Sequence, residues 1–267
     1  MDAHVWQQLL FGGALSLLAG LSTGIGAAVA LFIRKPDTRL LTLALGASAG
    51  VMVYISFMEL MPTAAGMLGS PRHWLPTLLF FGGMGLAALI DFLIPEDENP
   101  HELPAKGELE QAHGTGQFTP LVGVRRSAIL FCLAIGIHNF PEGIATMASA
   151  FESTGIATSV ALAVAIHNVP EGIAVAVPLL YGTGERRKAF LWATASGLAE
   201  PVGALIGMAI LLPFLSPALL AALFGLVSGI MVYIAFDELL PMAERWGQHH
   251  FAISGVILGM AIMALVL

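Results

Sequence analysis

The chain has 267 residues, of which 57% are hydrophobic and only 11% charged, and the charges fall in short stretches between long apolar runs. A water-soluble domain does not read this way. The formal net charge of −7 says little about partners, because several of the acids sit inside apolar runs; no nucleic-acid partner is expected.

Crossing a hydrocarbon core roughly 30 Å thick takes about 20 apolar residues as a helix. Eight runs are read as spans: about 6–33, 40–62, 74–95, 127–150, 156–180, 189–212, 217–240 and 250–267. The first follows a start without Lys or Arg and is too long for a signal-peptide core, so it is read as a retained helix. Cys132, in the fourth run, is the single cysteine, which excludes an intrachain disulfide. The expected class is an all-α membrane protein of eight transmembrane helices with the lipid bilayer as its solvent.

Basic residues set the orientation, because cytoplasmic loops carry an excess of them. Arg34, Lys35 and Arg39, then Lys106, Arg125 and Arg126, then Arg186, Arg187 and Lys188, then Arg245 all fall in odd-numbered connections, leaving only Arg72 elsewhere. Both termini are therefore expected outside the cytoplasm. The one long connection, 96–123, is a cytoplasmic loop rich in Glu, Pro and Gly that carries His101 and His113. Its composition predicts a flexible segment, either a solvated acidic linker or a weak capture site for borderline divalent ions.

Two internal repeats organise the chain. Ala49-Gly-Val-Met-Val-Tyr-Ile-Ser-Phe-Met-Glu-Leu-Met-Pro62 matches Ser228-Gly-Ile-Met-Val-Tyr-Ile-Ala-Phe-Asp-Glu-Leu-Leu-Pro241 at nine of fourteen positions, pairing helix two with helix seven. Gly20-Leu21 and Gly26-Ala27 match Gly197-Leu198 and Gly203-Ala204, extending the pairing to helices one and six. Helix two runs outward and helix seven inward, so the repeat is inverted, a plan whose substrate site lies at the repeat interface near mid-membrane. The second repeat pairs His138-Asn-Phe-Pro-Glu-Gly-Ile-Ala145 with His167-Asn-Val-Pro-Glu-Gly-Ile-Ala174, giving three helices, a central pair and three helices.

Within each central motif His and Glu are four residues apart and Asn and Glu three apart, so His138, Asn139 and Glu142 share one helical face, as do His167, Asn168 and Glu171. The intervening Pro frees a backbone carbonyl and should kink each helix. Gly143 and Gly172 permit close approach of the two faces. Helix six adds Glu200 beside Pro201. Three carboxylates at membrane depth repel one another unless cations or protons balance them, and a divalent ion does so directly. Mixed nitrogen and oxygen donors suit Zn²⁺ or Fe²⁺ better than Mg²⁺ or Ca²⁺, and the lack of thiolate argues against a tight structural zinc site. The alternative, polar residues that merely join helices, fits a lone histidine better than a duplicated motif with a third acid.

Other polar residues are less decisive. Glu59, Asp237 and Glu238 lie near helix ends, where interfacial or gating roles compete with ligation, and Asp91 is placed to snorkel to the interface. Met52 is read as packing or as a soft ligand. Two rival functions fit less well: an intramembrane metallohydrolase, disfavoured because no His-Glu-x-x-His pattern is present and the motif is duplicated symmetrically, and a proton-coupled carrier of an organic solute. ATP drive is not expected, since no Gly-x-x-x-x-Gly-Lys-Ser/Thr stretch occurs.

Through His138-Asn-Phe-Pro-Glu-Gly143, His167-Asn-Val-Pro-Glu-Gly172, Gly197-Leu-Ala-Glu200 and the histidine-containing loop before helix four, nearly the whole chain resembles the ZIP (Zrt/Irt-like) family of divalent-metal transporters, in particular its bacterial ZupT-like branch. The resemblance implies eight helices in a 3+2+3 arrangement and a binuclear metal centre on helices four, five and six. One site would use Glu142, His167 and Glu171 with His138, and the other Asn139, Glu142, Asn168, Glu171 and Glu200, the first two glutamates of the motifs bridging. Met52 matches a helix-two methionine that contributes to the first site in some members. The implied activity is uptake of Zn²⁺ and Fe²⁺, with Mn²⁺, Co²⁺ or Cd²⁺ as further cargo, across a bacterial inner membrane into the cytoplasm. Zinc and iron would be transported ions rather than cofactors, the chain would be no enzyme, and a homodimer stays open.

Overall fold

The computed structural model describes residues 3–32, 38–68, 74–92 and 122–267, all but short connections of which are helical. Eight long helices stand among them: α1 (Ala3–Phe32), α2 (Thr38–Leu68), α3 (Trp74–Phe92), α4 (Val122–Ser149), α5 (Thr154–Thr183), α6 (Arg186–Phe214), α7 (Pro217–Glu244) and α8 (His249–Val266). Seven of them, α1 to α3 and α5 to α8, are long and apolar enough to cross a membrane within their described residues. Large apolar side chains such as Phe81, Leu205, Ile210 and Ile257 are each more than 60% exposed. A soluble protein would bury them; in lipid they face their natural solvent.

Local chemistry sets several ends. The Ser153 hydroxyl accepts from the Ile156 amide and starts α5, and Gly184, with φ near 70°, closes it in the left-handed conformation that glycine tolerates best. Ser216 does the same for α7 through the Leu219 amide, with Pro217 in the first turn, where its missing N–H costs nothing.

Three boundaries differ from the sequence reading. Pro62 and Pro241 do not end their helices: α2 runs on to Leu68 and α7 to Glu244, because a π turn precedes each proline, Ser56–Leu60 in α2 and Ala235–Leu239 in α7. The wider turn shifts the hydrogen-bond register so that the absent proline N–H breaks nothing. Glu59, Asp237 and Glu238 thus sit in π turns inside long helices rather than near their ends. Val122 and Gly123 belong to α4, so the acidic loop is shorter than 96–123; the rest of it, with His101 and His113, lies outside the described residues. Pro141 and Pro170 sit within unbroken α4 and α5. It is α6 that is interrupted, by a turn at Leu198 just before Glu200-Pro201.

The helices pack in two groups. α1, α4, α5 and α6 are mutual neighbours; in the other group α2 pairs with α8 and α3 with α7. A two-fold relation runs through both, legible in glycine contacts. Gly143 packs on the Glu200 carbonyl and Gly172 on that of Thr23; Gly203 packs on Phe140 and Gly26 on Val169. Gly20 and Gly197 pack on each other's carbonyls, so the axis passes between them at the α1–α6 crossing. In the second group Gly46 and Gly50 of α2 pack on Ala252 and Val256, as Gly225 and Gly229 of α7 pack on Pro76 and Phe80. Small residues bring backbones together where lipid offers no hydrophobic drive.

The close approach has a cost when blocked. A Cβ at position 143 would collide with the Glu200 carbonyl oxygen. Gly143→Ala is expected to lose on the order of 1–3 kcal/mol of stability or more, visible as a lower melting temperature in detergent; unchanged melting would mean the crossing is looser than described.

Candidate metal centre

The central motifs meet where α4, α5 and α6 converge. His138, Asn139, Glu142, His167, Asn168, Glu171 and Glu200 are all buried, none more than 5% exposed. A helix that buries an imidazole, an amide and a carboxylate on one stripe needs a polar partner for each. Glu142 is the hub: its Oε1 lies 3.1 Å from His138 Nε2 and its Oε2 3.2 Å from His167 Nε2. Glu171 Oε1 lies 3.9 Å from His138 Nε2. One ligand atom from each of His138, Glu142 and His167 falls within 4.8 Å of the others, which is close enough to hold one ion.

The amides complete a second layer. Asn139 Nδ2 donates to the Ser196 carbonyl at 3.2 Å, and Asn168 Nδ2 donates to the Ala19 carbonyl at 2.9 Å and to Glu200 Oε2 at 2.8 Å. With both Nδ2 groups anchored, both amide oxygens are left as acceptors. Asn139 Oδ1, Asn168 Oδ1, Glu171 Oε2 and Glu200 Oε1 are buried without a hydrogen-bond partner among the described residues. Four unpaired buried acceptors are unfavourable alone and suit a cation.

The centre is not equally enclosed on its two related sides. α2 packs along α5, and the Ser48 hydroxyl donates to the His167 carbonyl at 3.4 Å. Met52, fully buried, lies one turn further along α2. Its repeat counterpart α7 packs only loosely against α4. The gap is a cavity of about 130 Å³ between α3, α4 and α7 whose wall includes His138, Ala134, Tyr233, Glu238 and Asp91. Asp91, next to the last residue of α3, shares this cavity with His138. Glu238 lines it from the α7 π turn, whereas neighbouring Asp237 is exposed. Glu59, at the matching place in the α2 π turn, is half-buried.

Comparison with known proteins identifies the family. Residues 93–267 match the family model described as ZIP Zinc transporter. The chain is 58% identical to the zinc transporter ZupT of Akkermansia muciniphila, with 95% of each chain covered. It is 48% identical to those of Nitratidesulfovibrio vulgaris, covering 96% of this chain and 95% of that one, and of Streptococcus mutans, covering 97% of both. The chain belongs to the ZIP zinc transporter family. It is thus a multi-pass membrane transporter and not an enzyme.

Proposed function

We propose that this chain takes up divalent transition-metal ions, zinc foremost and iron with it, through a binuclear centre on α4, α5 and α6. Manganese, cobalt and cadmium, of similar size and donor preference, are further cargo. The supporting observation is the convergence of His138, Glu142 and His167 ligand atoms within 4.8 Å at a fully buried position.

In this reading His138, Glu142, His167 and Glu171 hold one ion, and Asn139, Glu142, Asn168, Glu171 and Glu200 hold the other. Glu142 and Glu171 bridge, because a carboxylate has two oxygens and its charge offsets the repulsion between two cations. Eight spans in a 3+2+3 plan, with α4 the eighth, cross a bacterial inner membrane with both termini outside, as the basic residues dictate. The ends of α3 and α7 that carry Asp91 and Glu238 then face the cytoplasm, and the cavity there is the way out. Glu238 lines that way with Asp237 beyond it; Glu59, its counterpart in the repeat, and Met52 lie toward the opposite face. The names of the relatives, zinc transporters all, agree with the cargo.

Equilibrium titration of the purified chain in detergent tests the centre itself. Two zinc ions per chain are expected, competed by iron(II) and far more weakly by magnesium. Failure to bind zinc, with the chain folded, would remove the reading.

A further inference from the structure

The inverted repeat places one more residue at the centre. Gly143 packs on the Glu200 carbonyl and the Ala204 amide; Gly172 packs on the Thr23 carbonyl and the Ala27 amide. Asn139 Nδ2 donates to the Ser196 carbonyl, and Asn168 Nδ2 to the Ala19 carbonyl. Each correspondence shifts α1 onto α6 by the same interval as the Gly20–Gly197 pair on the axis. Under that shift, Thr23 is the counterpart of Glu200.

Thr23 also behaves unlike an ordinary helix threonine. A threonine hydroxyl in a helix usually bonds back to the carbonyl four residues earlier, here that of Ala19. That carbonyl already accepts from Asn168 Nδ2, and the Ser22 hydroxyl is within donating distance of it at 2.6 Å and of the Ala165 carbonyl at 2.9 Å. Thr23 Oγ1 is fully buried and has no hydrogen-bond partner among the described residues. A buried hydroxyl left unpaired costs on the order of 1–3 kcal/mol. Asn139 Oδ1, on the amide related to the one that meets Glu200, is likewise without a partner among the described residues.

We propose that Thr23 is a member of the metal centre, its hydroxyl supplying on the α1 side the neutral oxygen that stands where the repeat would otherwise put a fourth carboxylate. This rests on the binuclear reading above. Its consequence is electrostatic. Four carboxylates would balance two divalent ions; Glu142, Glu171 and Glu200 leave one positive charge in excess. The second ion is therefore held more weakly than the first, which a transport centre needs in order to release cargo.

The test compares Thr23→Val, Thr23→Ser and Thr23→Asp with the native chain by equilibrium zinc titration in detergent, with melting in chelator as a check on folding. Valine keeps the volume and removes the oxygen, so the weaker of the two zinc affinities should fall about ten-fold while the stronger stays. Serine should restore it. Aspartate, adding the fourth carboxylate, should tighten the weaker site and slow release of zinc into a chelator. Valine equal to native, or serine as poor as valine, would overturn the role of Thr23 while leaving the centre intact. No zinc bound by the native chain would overturn the centre and Thr23's part in it together.

Discussion

Glu142→Gln is expected to weaken zinc binding at both positions of the centre together, by more than about 100-fold. Glutamine preserves the volume of the buried side chain, so packing against α5 survives. What disappears is the charged oxygen pair that faces His138 at 3.1 Å and His167 at 3.2 Å. Among the described residues no other carboxylate lies that close to both histidines. An amide offers one oxygen in place of two and no charge, so it cannot bridge two cations. Loss confined to one of the two ions would mean that Glu142 serves a single site. In chelator the variant should melt below the native temperature, since two buried imidazoles lose the carboxylate they face.

The second large effect concerns the way out. Ala134→Phe puts a ring into the cavity of about 130 Å³ between α3, α4 and α7 without replacing a proposed ligand. Zinc uptake into vesicles is expected to fall roughly ten-fold or more, as an apolar plug does to a narrow ion path. Zinc affinity at equilibrium should stay at the native level, because the ion still reaches the centre given time. Native uptake in this variant would show that ions leave by another route.

The meeting of the two central motifs was legible in the sequence. A doubled His-Asn-x-Pro-Glu-Gly at helical spacing puts six polar side chains on two facing stripes, and those stripes do meet. Glu200 was legible because an acid deep in an apolar run has few bland explanations. Thr23 was not singled out, although the match of Gly20 and Gly26 with Gly197 and Gly203 already set it opposite Glu200; a threonine in a membrane helix is ordinary, and only the claimed Ala19 carbonyl shows that its hydroxyl is left over.

The helix ends were read less well, for a specific reason. Pro62 and Pro241 are terminators in an α-helix, but a π turn ahead of each absorbs the missing donor, and π turns have no propensity signature. Both lie at matching places in the long repeat, so the shared Phe-x-Glu-Leu-x-Pro stretch was the available signal. That Asp91 shares a cavity with His138 was not legible, because it depends on α3 packing against α7, a contact that no local pattern encodes.

The most direct measurement is uptake of zinc and iron(II) into proteoliposomes containing the purified native chain, beside Glu171→Ala and His167→Ala. Metal-selective uptake by the native chain that vanishes with Glu171→Ala and is severely reduced with His167→Ala is the expected result. Native uptake no greater than that of empty vesicles, or uptake undiminished by Glu171→Ala, with folded protein in both cases, would contradict a transport path through this centre.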